Sequence, residues 1–289
     1  MPRIALLLST LVWGATFPAT KAALEHIPPF SFLFLRFFLG LVLVLGVVLA
    51  AGKRVRFSRA MLRPGAIATV WLFLGYTLQT VGLQYTTASN SAFITALYVV
   101  LVPLFLRRFD GTVWLSAGFA VAGLWLLIDP TVALNLGDLM TLGCAAAFAA
   151  HIACLESYTR EGDPLALFLW QMLLMTVALL PAMVIEAPEA AQFAAHSVLV
   201  VALVVTGVLA TGAFAVQIWA QRHLPAQRVA LIFSLEPAYA AWLAWYFLGE
   251  HLAAKGWVGS GLILAAVVLG AMAGGVTPVK EPAESVPAA

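Results

Sequence analysis

The sequence predicts an all-α integral membrane protein of about ten transmembrane helices, and three observations support this prediction. Apolar residues make up 63% of the 289-residue chain, and charged residues only 10%. Soluble domains carry about 25% charged residues, so this chain has too little polar surface to face water on all sides. Apolar runs of spanning length alternate with short polar turns, and the basic residues concentrate in every second turn.

Each span needs about 20 apolar residues, because a helix rises about 1.5 Å per residue and the hydrocarbon core is about 30 Å thick. The stretch from Pro64 to Leu106 carries no charge, and the polar cluster Gln84–Asn90 divides it into two helices. Charges and turn residues elsewhere define the other boundaries. The predicted spans are 4–22, 30–51, 64–84, 88–106, 112–128, 138–158, 164–186, 197–221, 226–248 and 255–274.

The basic residues predict the orientation of these spans. With a cytoplasmic N-terminus, twelve of the fifteen Lys and Arg residues fall on the cytoplasmic side, Lys21 and Lys255 fall outside, and Arg36 lies within a span. Short loops rich in Lys and Arg face the cytoplasm. We therefore expect both termini in the cytoplasm and a location in a bacterial inner membrane. Residues 277–289, rich in Pro, Ala and Glu, are predicted to form a disordered cytoplasmic tail.

The chain also contains an internal repeat. Pro29 and Arg36 align with Pro164 and Gln171 at an offset of 135 residues, and further along the offset becomes 138. The matches at 138 are Gln79 with Gln217, Ala92-Phe93-Ile94 with Ala230-Leu231-Ile232, and Gly111, Gly118 and Gly123 with Gly249, Gly256 and Gly261.

This repeat divides the protein into a first half, residues 1–130, and a second half, residues 131–276. Each half contains five predicted spans, and an odd number makes the two halves enter the membrane in opposite directions. Inverted repeats are typical of transporters that work by alternating access, with a substrate site near the midplane where the halves meet. Secondary transport of a small solute is therefore the predicted function.

Polar and aromatic side chains at the depth of the membrane are the candidates for this site. Gln79 and Gln217 occupy equivalent repeat positions, and a neutral amide binds polar groups at a lower desolvation cost than a charge. Aromatic faces beside a few polar groups suit a flat apolar or aromatic solute. The predicted substrate-binding residues are Trp13, Thr16, Tyr76, Gln79, Tyr98, His151 and Gln217. For His151, a hydrogen-bonded packing role is the alternative.

A charged group inside a span is unfavourable by about 2.5–3.5 kcal/mol on insertion scales, so each one is expected to have a structural or functional role. Glu236, followed by Pro237, is predicted to act in gating or coupling at a helix break, or to be a carboxyl group satisfied internally. Arg36 is interpreted as paired with Glu25, as snorkelling towards the interface, or as attracting a substrate carboxylate. Because buried acids are few, we expect weak or absent coupling to protons.

Several short motifs resemble the drug/metabolite transporter superfamily, and more narrowly its EamA branch. They are Trp13-Gly14-Ala15-Thr16-Phe17, Arg36, the run from Ala230 to Glu236-Pro237, and Gly249-Glu250. The resemblance covers residues 4–274 and implies ten helices in two inverted five-helix repeats. Within the branch, the chain is most similar to bacterial aromatic amino-acid exporters. It departs from the family pattern in the first half, where Tyr98-Val99 replaces the second half's Glu236-Pro237.

The resemblance implies export of amino acids or similar metabolites, aromatic ones favoured, with a drug or cationic-compound exporter as the alternative. An intramembrane enzyme or receptor is a further alternative, but the sequence has no His-Glu-x-x-His, Gly-x-Ser-x-Gly or Walker motif. We expect no enzyme activity, no cofactor, no metal and no nucleic-acid partner. The expected partners are the small-molecule substrate and the lipid bilayer, with the chain a monomer or weak homodimer.

Overall fold

The computed structural model describes residues 2–52, 54, 57–106, 111–128, 135–188, 197–224, 229, 232–233 and 235–273. The predicted tail and part of the ninth predicted span lie outside these residues. So do six basic residues used to predict the orientation, namely Lys53, Arg56, Arg107, Arg108, Arg228 and Lys280.

The regular structure of the described residues is helical. The helices are α1 (Pro2–Ala23), α2 (Pro29–Ala50), α3 (Leu62–Gly82), α4 (Ala88–Thr95), α5 (Tyr98–Phe105), α6 (Gly111–Ile128), α7 (Leu136–Glu161), α8 (Pro164–Glu186), α9 (Ser197–Leu203), α10 (Ala210–His223), α11 (Glu236–Leu248) and α12 (Ala254–Ala273). A 3₁₀ turn (Arg59–Met61) precedes α3, and a π-helical stretch (Val204–Leu209) joins α9 to α10.

Seven helical segments within the described residues are long and apolar enough to cross a membrane. They coincide with the first four predicted spans and with the sixth, seventh and eighth. Large apolar side chains such as Leu8, Val184 and Phe247 are 63–67% exposed on the outside of the bundle. This is the surface expected of a protein whose solvent is lipid. The ten-helix count remains a prediction, because the fifth, ninth and tenth spans are not among these seven.

The fourth span is not the continuous helix that the sequence predicts. It breaks at Ala96 and Leu97, between α4 and α5, where the backbone bonds tighten from the α-helical to the 3₁₀ spacing. The N–H groups of Val99 and Val100 donate to the carbonyls three residues earlier, at 3.1 and 3.0 Å. In the second half, α11 begins at Glu236, so Pro237 lies in a first helical turn, where a missing N–H costs nothing. Tyr98 and Glu236, which are repeat partners, therefore both begin a helix.

The contacts between the halves follow a pseudo-two-fold symmetry. The equivalent helices α2 and α8 pack on each other, as do α6 and α12. The contact of α3 with α7 has its counterpart in α1 with α10, and that of α5 with α7 has its counterpart in α1 with α11. The N-terminus of α2 meets the C-terminus of α8, so these equivalent helices run antiparallel, as an inverted repeat requires.

Glycine permits the close packing of α6 on α12. A Cβ atom at Gly123 would lie 2.7 Å from the carbonyl oxygen of Gly259 and 2.9 Å from the backbone nitrogen of Ile263. Gly118, on the same helix, has open space around it instead. These glycines therefore differ in role: Gly123 lies in the seam between the halves, and Gly118 faces outward.

Gly123→Ala is expected to lower thermal stability, because the contacts are with backbone atoms that cannot move aside; overpacking of this kind costs about 1–3 kcal/mol. Thermal unfolding of the purified protein in detergent measures this. Gly118→Ala on the same helix is the matched control and is expected to be neutral or stabilising. Equal melting temperatures for the two variants would contradict the assignment of Gly123 to the seam.

Candidate functional site

A central cavity lies between the two halves, and in this conformation it leaves about 40 Å³ of room for the centre of a water-sized sphere. Helices α1, α3 and α4 of the first half and α7, α10 and α11 of the second contribute its walls. The lining residues are Trp13, Thr16, Phe17, Leu72, Tyr76, Gln79, Thr95, Phe148, His151, Ile152, Ala210, Phe214, Gln217 and Glu236.

Twelve of these fourteen residues form repeat pairs. At the offset of 135 the pairs are Trp13/Phe148, Thr16/His151 and Phe17/Ile152, and at 138 they are Leu72/Ala210, Tyr76/Phe214 and Gln79/Gln217. The partners of the other two, Thr95 and Glu236, are Phe233 and Tyr98. Phe233 packs on Trp13 with ring centroids 5.1 Å apart, and Tyr98 contacts Glu236. The cavity therefore lies on the pseudo-two-fold axis.

Seven of the nine residues predicted for the site line this cavity: Trp13, Thr16, Tyr76, Gln79, His151, Gln217 and Glu236. Tyr98 is buried beside it against Glu236, and Pro237 follows Glu236 without contributing to the lining. Sequence reasoning missed Phe148 and Phe214. Because these residues are the repeat partners of Trp13 and Tyr76, applying the offset to every candidate identifies them.

Aromatic rings form the walls of the cavity. Tyr76 and Phe148, from α3 and α7, meet edge to face with ring centroids 5.2 Å apart. The imidazole of His151 lies 5.8 Å from the ring of Phe214. On α1, Gly14 permits close approach to α11, because a Cβ atom there would lie 2.9 Å from the carbonyl oxygen of Glu236.

The polar groups of the cavity fall into bonded and unbonded sets. Gln79 Nε2 donates to Thr95 Oγ1 at 3.4 Å, and His151 Nε2 lies 2.7 Å from Gln171 Oε1. By contrast, Trp13 Nε1 and Gln217 Oε1 are buried and have no hydrogen-bond partner among the described residues. A buried donor and a buried acceptor left unpaired are the groups that a polar ligand in the cavity would satisfy.

The position of Arg36 contradicts two of the three interpretations made from the sequence. Its side chain is only 4% exposed, so it does not snorkel, and Glu25 is exposed and not its partner. The guanidinium carbon lies 4.4 Å from the ring centroid of Tyr76 and 5.2 Å from that of Phe37. Arg36 thus lies behind a wall residue of the cavity, held by cation–π contacts.

Glu236 is the acidic residue that lines the cavity, and it is 6% exposed. Tyr98 Oη donates to Glu236 Oε2 at 3.5 Å, a long hydrogen bond across the pseudo-two-fold axis. Among the described residues, no group of three or more His, Cys, Asp or Glu side chains could hold a metal ion.

One face of the molecule, called here the clamp face, is closed by two glutamates of the second half. Glu186 accepts from the N–H groups of Phe30 and Ser31 at 3.0 and 2.7 Å, and from Ser31 Oγ at 2.7 Å. These groups form the N-terminus of α2, whose free N–H groups and partial positive charge favour a carboxylate.

Glu250 makes the same arrangement at the N-terminus of α4. It accepts from the N–H groups of Ala88 and Ser89 at 2.8 and 3.0 Å, and from Ser89 Oγ at 2.8 Å. Nearby, the hydroxyl of Thr86 donates to the carboxylate of Asp138. Within the first half, Lys21 donates to the carbonyls of Leu83 and Thr86 at 2.9 and 2.6 Å. Polar bonds between the halves therefore concentrate where α2 and α4 begin.

Comparison with known proteins gives a consistent identification. The model of the EamA-like transporter family matches residues 2–129 and 135–272. A protein of Archaeoglobus fulgidus (strain ATCC 49558 / DSM 4304 / JCM 9628 / NBRC 100126 / VC-16) named "Uncharacterized transporter" is 34% identical over 272 residues, covering 92% of this chain and 84% of the relative. "Uncharacterized transporter YoaV" of Bacillus subtilis (strain 168) is 24% identical over 257 residues, covering 84% of this chain and 87% of the relative.

Among solved structures, one described as "Crystal structure of protein" matches with a TM-score of 0.66 and 14% identity. The match covers 94% of this chain and 98% of the other, and it concerns the fold alone. The family match spans both halves of the chain, and the apolar helices agree with it. This chain belongs to the EamA-like transporter family and is a multi-pass membrane transporter.

Proposed function

We propose that this transporter exports small metabolites, or facilitates their movement, across a bacterial inner membrane by alternating access, with amino acids as substrates and aromatic ones favoured. The observation that supports this most is the pseudo-symmetric lining of the central cavity. In an inverted-repeat transporter, exchange of the two halves' conformations opens such a cavity to opposite sides of the membrane in turn. The proposal includes ten spans, the halves 1–130 and 131–276, and cytoplasmic termini.

The composition of the cavity walls favours an aromatic solute with polar ends. The rings of Trp13, Tyr76 and Phe148 offer faces and edges to a flat side chain. Trp13 Nε1 and Gln217 Oε1 offer one donor and one acceptor without partners among the described residues. A solute with both a donor and an acceptor group satisfies both, whereas a purely apolar solute satisfies neither.

The clamp face supports the alternating-access part of the proposal. The first-half N-termini of α2 and α4 are held by carboxylates of the second half, Glu186 and Glu250. To open the cavity on this side, the halves must separate and these bonds must break. The positive-inside distribution of the sequence predicts that this face lies outside the cytoplasm, and in this proposal the clamps act as an outer gate.

Uptake into liposomes tests the substrate class. Purified protein is expected to move radiolabelled phenylalanine and tryptophan saturably, with threonine and a cationic dye moved less. Gln79→Ala and Trp13→Ala should each reduce transport about tenfold, the effect of about 1.4 kcal/mol of lost contact. Trp245→Ala, at a side chain 51% exposed outside the cavity, is the matched control and should transport normally. Transport of the dye without amino acids would instead indicate the drug-exporter alternative.

A labelling experiment tests the outer gate. In a background without the native cysteines, a Thr16→Cys reporter in the cavity is exposed to a membrane-impermeant maleimide applied from the clamp face. The double variant Glu186→Gln and Glu250→Gln is expected to react at least about tenfold more, because each lost capping interaction is worth about 0.5–2 kcal/mol.

The matched control for the gate is Asp163→Ala. Asp163 caps α8, accepting from the N–H groups of Leu165 and Ala166 at 3.0 and 3.3 Å, all within one helix of one half. Its loss weakens a cap without freeing the halves, so reactivity of the reporter should not rise. Equal labelling of the double variant and the parent would show that the clamps do not hold the gate.

Substitutions of two buried glutamines test whether the unpaired Oε1 of Gln217 destabilises the ligand-free protein. Gln217→Met should stabilise the ligand-free protein by about 1 kcal/mol, because it removes an acceptor that has no partner. Gln171→Met should destabilise it by about 1–3 kcal/mol, because it leaves His151 without its 2.7 Å bond. Thermal unfolding in detergent compares the two. A loss of stability in the Gln217 variant equal to that in the Gln171 variant would mean that Gln217 is a packing residue.

A further inference from the structure

The charges at the cavity break its pseudo-two-fold symmetry. Arg36 occupies the position equivalent to the neutral Gln171, and Glu236 the position equivalent to the neutral Tyr98. The repeat pairs that both line the cavity hold uncharged residues or His151. A solute in a symmetric cavity has two equivalent orientations, and two opposite charges at inequivalent positions make only one of them favourable for a dipolar solute.

Arg36 is a buried cation held by two aromatic residues, through ring contacts and a hydrogen bond with the Tyr76 side chain. The rings of Tyr76 and Phe37 lie at 4.4 and 5.2 Å, and no carboxylate of the described residues pairs with it. An uncompensated charge within a membrane is costly and marks a functional site. The guanidinium group carries a planar set of donors that matches a carboxylate in two-point geometry.

Glu236 supplies the opposite charge at a different part of the same cavity. Its carboxyl group lines the cavity, and its partner among the described residues is the Tyr98 hydroxyl at 3.5 Å, which leaves capacity to accept further hydrogen bonds. Tyr76 lies within electrostatic reach of both groups. Arg36 and Glu236 form no direct ion pair with each other.

We propose that Arg36 and Glu236 form a dipolar site that binds a zwitterionic substrate in one orientation, its carboxylate paired with Arg36 and its ammonium group with Glu236. This inference rests on the proposed function and names the substrate class of the same cavity as α-amino acids. Because the Tyr76 ring separates the guanidinium from the cavity in this conformation, the carboxylate reaches Arg36 when that side chain turns aside.

The site requires both charged ends of its ligand. A ligand that carries only an ammonium group leaves Arg36 unpaired and adds a second positive charge to the site. A ligand that carries only a carboxylate leaves Glu236 unpaired and adds a second negative charge. Each singly charged ligand therefore lacks one charge-assisted hydrogen bond, which is about twice as strong as a neutral one. Selectivity for zwitterions over singly charged analogues follows.

The test compares phenylalanine with phenethylamine, which lacks the carboxylate, and with 3-phenylpropionate, which lacks the amine. Binding to the purified protein is measured for each by competition against labelled phenylalanine and by thermal stabilisation. We expect phenylalanine to bind at least about tenfold more tightly than either analogue.

The variants give a crossed pattern that a structural role would not produce. Arg36→Gln should abolish the preference for phenylalanine over phenethylamine and keep the preference over 3-phenylpropionate. Glu236→Gln should do the reverse. Gln171→Leu, at the neutral repeat partner of Arg36, is the matched control and should keep both preferences even where overall affinity falls. Arg36→Lys keeps the charge and should retain part of the preference over phenethylamine.

The outcomes separate this inference from the proposed function. If the parent protein binds phenylalanine and phenethylamine equally, the dipolar site is wrong and the transporter proposal stands. If Arg36→Gln weakens all three ligands alike, Arg36 is structural and the inference is overturned. If the folded parent binds none of the three, and moves none in liposomes, the proposed substrate class itself is wrong and the inference falls with it.

Discussion

The packing of each half against its inverted counterpart is the constraint on which the rest of this structure depends. Because lipid cannot hydrogen-bond the backbone, every spanning segment must be helical or have its irregular stretch buried in protein. The break at Ala96 and Leu97 satisfies this condition, since both residues are buried inside the protein. The same packing brings α1, α3, α7 and α10 around one axis and leaves the cavity between them.

The scaffold is symmetric, but its chemistry is not. The backbone elements and most of the cavity lining follow the repeat, as in the pair Gln79 and Gln217. The residues with the strongest electrostatic character depart from it. The offsets of 135 and 138 place Ala51 opposite Glu186 and Thr112 opposite Glu250, so the acids that clamp one face have no acidic counterpart on the other.

This asymmetry has a physical consequence for a protein that alternates between two states. Identical halves would give inward- and outward-facing states of equal energy. The six hydrogen bonds made by Glu186 and Glu250 stabilise the state in which the clamp face is closed. Because helix caps of this kind contribute about 0.5–2 kcal/mol each, they bias the equilibrium without locking it, and a bound substrate can shift it by a similar amount.

By itself, the sequence determined the membrane class, most span positions, the repeat and half of the residues that line the cavity. Hydrophobic runs specify helices in lipid because no other backbone arrangement is available there, and the repeat brings equivalent residues such as Gln79 and Gln217 to one axis. The tertiary structure alone decided the break at Ala96 and Leu97, the aromatic contacts of Arg36, and the capping of α2 and α4 by distant glutamates. Each of these features depends on which residues far apart in the sequence come into contact, and the local sequence pattern does not specify those contacts.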